Sequence, residues 1–73
     1  MNPIEIYARE AGKIYLQISD MIKAAETDKM LQEHEQYEIK FSLQSARSIL
    51  AESVFNLLKL AINHEYECDT QQL

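Results

Sequence analysis

The chain has 73 residues, a net charge of −5 from twelve acidic against seven basic residues, and a single cysteine. That length allows one small domain at most, and one thiol excludes an internal disulfide. The acidic balance argues against nucleic acid and against anionic membrane surfaces, since both present phosphate to a chain with no basic face.

The N-terminal stretch MNPIEIYARE has no basic region and no continuous apolar run, so it does not read as a signal peptide. The most apolar segment is broken by Asn56, Lys59 and Asn63, and falls short of the roughly 20 residues a membrane span needs. A lone thiol fits a reducing compartment. The expectation is a soluble, cytoplasmic protein.

One Gly and one Pro, in a sequence rich in Ala, Leu, Glu, Gln and Lys, predict helix nearly throughout. The first helix is predicted over 3–25. Asn2 can cap it, Pro3 suits its first position, and Glu5 stands where a capping box places its carboxylate. Ile4, Ala11, Ile18 and Ala25 recur every seven residues, with Tyr7, Ile14 and Met21 at complementary positions and Ala8, Tyr15 and Ile22 one step beyond. This is a heptad stripe. Gly12, with Ala8 and Ala11 near it, makes a small-residue surface that a second helix can approach closely, or is simply tolerated there.

A polar reversal is expected within 26–35, where Thr27 and Asp28 are candidate caps and no Gly or Pro fixes the turn. The segment YEIKFSL alternates Tyr37, Ile39, Phe41 and Leu43 with polar residues, as a half-buried strand does. It also continues a helical series: Ile39, Leu43, Ala46, Leu50, Val54, Leu57 and Ala61. A single strand would have no edge to pair with, so helix is preferred. A second, longer helix is therefore predicted over 35–66, followed by a frayed tail at 67–73, where Glu65, Glu67 and Asp69 sit unfavourably near a helix C-terminus.

The resulting fold is all-α: one antiparallel helical hairpin spanning 1–73, completed into a bundle by a partner chain. Its internal core is expected from Ile4, Ala11, Ile14, Ile18 and Met21 against Leu50, Val54, Leu57 and Ala61. The stretch VFNLLKLAI is apolar on most of its circumference, which is the mark of a helix covered on several sides. Phe41, Phe55, Leu58, Leu60 and Ile62, with Leu16 from the first helix, lie off the hairpin seam and are expected to bind a partner.

No chemistry is spelled out. His64 and Cys68 share a helical face at a spacing that could hold half of a zinc site, but His34 is the only other histidine. HEQYE and HEYEC both miss HExxH, because Glu38 and Cys68 replace its second histidine. The acidic run Glu26, Asp28, Glu33, Glu35 and Glu38 lacks the spacing and glycine of a calcium loop. Ser42, Ser45, Ser48 and Ser53 read as small packing residues, and Tyr7, Tyr15, Tyr37 and Tyr66 as interface or core residues. No catalytic residue, cofactor or metal ligand is expected.

The segment EQYEIKFSLQSARSILAESVFNLLKL resembles the second helix of the YscE-like needle-subunit co-chaperones of type III secretion systems. The shared features are a polar turn ending in Gln36-Tyr37, an apolar residue at Ile39, and Ala46, Leu50, Val54 and Leu57 on one face with Ser and Ala between them. The resemblance covers about half the chain. It implies a heterodimer with a second chaperone of helical-repeat type, the pair keeping a needle subunit monomeric before export. KMLQEHEQYEIKFSL is similar to the post-turn helix of the needle subunits themselves, whose Pro-containing turn this chain lacks. From the residues alone, two other readings stand beside a co-chaperone. One is a self-assembling four-helix dimer or filament subunit; the other is a small inhibitor that binds a target groove through a helix.

Overall fold

The structure, a computed structural model, describes residues 2–71 in backbone and 2–66 in side chain. Two helices, α1 (Pro3–Thr27) and α2 (Glu33–Gln71), pack against each other, and no strand occurs among the described residues. The segment 37–43 is helical throughout. The Cα extents are 62 × 17 × 9 Å, so the molecule is a slab one helix thick.

Helix α1 starts where its sequence dictates. Asn2 Oδ1 accepts a hydrogen bond from the Ile4 amide at 3.0 Å, and Pro3 follows at the first helical position, where a missing N–H costs nothing. Glu5 adds an anion to the positive end of the helix dipole.

The reversal occupies 28–32, inside the 26–35 segment expected to hold it. Asp28 makes it possible without glycine. Its Oδ1 accepts from the Met30 amide at 2.9 Å, and its carbonyl accepts from Leu31 N and from the Gln36 side chain. At the other end the Glu35 carboxylate reaches back to the Gln32 amide at 2.8 Å, one half of a capping box. Thr27 stays in α1, its hydroxyl donating to the Lys23 carbonyl.

Helix α2 runs past residue 66 to Gln71, into the predicted tail, because no glycine or proline interrupts it; 72–73 lie outside the described residues.

The seam follows a strict alternation of four- and three-residue steps on both helices. On α1 it is Ile4, Ala8, Ala11, Tyr15, Ile18, Ile22 and Ala25; on α2, Gln36, Lys40, Leu43, Arg47, Leu50, Val54, Leu57, Ala61 and His64. Ala8, Ile22, Ala25 and Ala61 are buried, while Ile4, Ala11, Ile18, Leu50, Val54 and Leu57 are half-buried. Ile14 and Met21, expected in this core, are 48% and 49% exposed. The helix is turned so that the Tyr15–Ile22 column faces α2 in place of the Ile14–Met21 column.

Polar contacts across the seam explain that choice. Arg47 Nη1 donates to Ser19 Oγ at 3.1 Å while its guanidinium lies 5.7 Å from the Tyr15 ring centroid. Lys40 pairs with Glu26 at 3.1 Å, and Asn2 Nδ2 donates to the Ala61 carbonyl at 2.8 Å. Rotating α1 by one residue would separate these partners. The long stems of Arg47 and Lys40 cover the seam while their charges reach its edge. The Lys40–Glu26 pair is partly solvated and contributes about 1 kcal/mol at most.

Gly12 is not a site of close helix contact, for a Cβ built there meets no atom within 4 Å. Gly12→Ala is therefore expected to stabilise the chain by about 1 kcal/mol through helix propensity. The midpoint of thermal unfolding, followed by circular dichroism, should rise by roughly 4–8 °C. A fall would mean that something does occupy the space above Gly12.

Candidate functional site

A slab one helix thick has two broad faces and one seam, so most apolar residues outside the seam remain in contact with water. One face is aromatic. It gathers Tyr37, Phe41, Phe55, Leu58 and Ile62 from α2 and Leu16 from α1. Tyr37 and Phe41 stack with ring centroids 6.4 Å apart, and Lys59 Nζ lies 5.5 Å from the Phe55 ring centroid. Phe41 and Phe55 are each 61% exposed.

Along this face runs an open groove of about 620 Å³, lined by Arg9, Gly12, Lys13, Tyr15, Leu16, Ala51 and Val54. Its floor is low because Gly12 on α1 and Ala51 on α2 carry little or no side chain. Arg9 and Lys13 form a cationic rim, Lys13 being held by Glu10 at 3.0 Å.

The opposite face is neutral. Met21 and Ile39 share a hollow of about 500 Å³ there with Glu38, Ser42 and Leu43. A second series of three- and four-residue steps runs down each helix on this side. On α1 it is Tyr7, Glu10, Ile14, Gln17, Met21 and Ala24; on α2, Ile39, Ser42, Ala46, Ile49, Ser53, Asn56, Leu60 and Asn63. Glu10 is the only charge in either series, and none occurs over 14–24 or 39–63.

Of the six residues expected to bind a partner, Phe41, Phe55, Leu58, Ile62 and Leu16 lie on the aromatic face, and Leu60 lies on the neutral one. All six are exposed. Ala46 and Ile39, placed in the internal series by their spacing, belong to the neutral face instead, and Arg47 and Lys40 take the seam positions. Sequence reasoning missed those two basic residues because it followed only apolar positions; the unbroken alternation of steps through Leu43, Arg47 and Leu50 was the available signal.

Comparison of the chain with family models, curated proteins and solved structures finds no match. Among the described residues no group of three or more His, Cys, Asp or Glu could hold a metal ion, and Cys68 lies outside the described side chains. No described helix is long and apolar enough to cross a membrane.

What this arrangement offers is surface. The accessible area is 6012 Å². A compact monomer of 8.5 kDa would expose about 4,700 Å². Domains are stable when two layers bury each other's apolar sides, and the described residues form a single layer.

Proposed function

We propose that this chain is a non-catalytic association module that covers the apolar side of another helical polypeptide, in the manner of a small co-chaperone. One observation carries the reading. Phe41, Phe55, Leu58, Ile62 and Leu16 are gathered on one exposed face beside a preformed groove. Contiguous apolar patches beyond a few hundred Å² on a small protein mark interaction sites. An amphipathic helix can lie in the groove over Gly12 and Ala51, its apolar residues against Leu16 and Val54 and its acidic ones towards Arg9 and Lys13.

The likeness of EQYEIKFSLQSARSILAESVFNLLKL to needle-subunit co-chaperones supports a client of the type III secretion kind. In that setting the module works with a second chaperone in the cytoplasm and keeps a needle subunit from assembling. Shape supports this too: a thin slab with an uncovered face binds a helix without rearranging its own.

The purified full chain should enhance the fluorescence of anilinonaphthalene sulfonate. Phe55→Ser combined with Leu58→Ser should reduce that signal several-fold with helical ellipticity unchanged. A chain that sediments as a monomer and leaves the dye dark would overturn the reading, because its apolar groups would then be covered internally.

A further inference from the structure

We infer that the neutral face joins two copies of this chain into an antiparallel four-helix dimer, leaving both aromatic faces outward. The inference deepens the association reading above and rests on it, for it names one partner and the face used.

Three observations converge. The first is charge. Each copy carries a net −5, so two copies repel wherever their charged groups meet. The two series of the neutral face hold no charged residue from Ile14 to Ala24 or from Ile39 to Asn63, with Glu38 beside them at the hollow, whereas the aromatic face is rimmed by Arg9 and Lys13. A two-fold interface sets the same patch against itself. Pairing through the aromatic face would desolvate Arg9 and Lys13 at its rim, whereas the neutral face carries only Glu10 within its two series and Glu38 at the edge of its hollow.

The second is shape. Ala46 and Ser53 stand at the middle of the α2 series, flanking Ile49, and their small side chains let helices approach to the usual 8–10 Å. Alternating three- and four-residue steps are the spacing of a helix-packing seam, so each helix carries a second such seam with nothing on it.

The third is area. A stable dimer needs about 800 Å² from each partner, to which the exposed Ile14, Met21, Ile39, Ile49 and Leu60 of this face contribute. The surface in excess of a compact monomer, roughly 1,300 Å², is larger than that requirement. Ile49 is 68% exposed and stands one position off the internal seam at Leu50, which places it on this second one.

Sedimentation equilibrium of the full chain tests this. The wild type should sediment at twice its monomer mass, and the dimer should tighten with added salt as mutual repulsion is screened. Ala46→Lys with Ile49→Lys should give a monomer of unchanged helical ellipticity, and Asn56→Lys, a milder change on the same series, should weaken the dimer at least tenfold. Phe55→Lys should leave it intact. A wild-type monomer overturns the inference, as does a dimer that survives the Ala46/Ile49 change or one that only Phe55→Lys breaks. A wild-type monomer that still brightens the dye sinks the dimer alone; one that leaves the dye dark sinks the association reading with it.

Discussion

Ile22→Ala should destabilise the chain by about 2–5 kcal/mol, the range for removing a buried branched side chain and leaving a cavity. Ile22 is 5% exposed and is the one large side chain among the described residues that is buried to this degree. Its buried companions Ala8, Ala25 and Ala61 contribute little apolar area each. A chain of this length holds roughly 4–11 kcal/mol in all, so the substitution removes a large share. Urea unfolding followed by circular dichroism gives the number. Met21→Ala, one residue earlier on the neutral face, should cost under about 1 kcal/mol in the same assay at concentrations where the chain is monomeric. Equal losses at 21 and 22 would show that α1 is turned the other way.

Asn2→Ala is expected to cost about 2 kcal/mol, because one side chain makes two separate attachments. Its Oδ1 caps α1 through the Ile4 amide, and its Nδ2 donates to the Ala61 carbonyl in a buried contact at 2.8 Å. Loss of a cap is worth about 1 kcal/mol, and loss of the hydrogen bond about 0.5–1.5 kcal/mol. Asn2→Ser separates the two, since a serine hydroxyl can cap but is too short to reach Ala61. Urea midpoints should rank wild type above Asn2→Ser and Asn2→Ala lowest. Indistinguishable serine and asparagine variants would mean that the bond to Ala61 adds nothing.

Much of the fold was legible in the residues. Asn2-Pro3 announced the start of α1, and the scarcity of breakers announced two long helices. The turn was harder to place because Asp28 and Glu35 build it from side-chain hydrogen bonds, which leave only ordinary polar residues in the sequence. The rotation of α1 was missed for a related reason. Tyr7–Ile14–Met21 is more apolar than Ala8–Tyr15–Ile22, so hydrophobicity alone favours the wrong column. Arg47 against Tyr15 and Ser19, Lys40 against Glu26 and Asn2 against Ala61 decide it, and each joins residues far apart in the chain. The exposed set Phe41, Phe55, Leu58 and Ile62 was legible as surplus, since one seam cannot cover four sides of α2. Its division into an aromatic and a neutral face was not, because that depends on which way each helix is turned.

The cross-links between the helices also set an order of assembly. Glu26 meets Lys40, then Ser19 meets Arg47, and lastly Asn2 meets Ala61, so the segment to be closed lengthens with distance from the bend at Asp28. Chain closure becomes entropically dearer as that segment grows, which makes the hairpin a zipper that shuts from the bend and opens from the far end. Asn2 is its last tooth. Removing that side chain should speed unfolding and leave the folding rate nearly untouched.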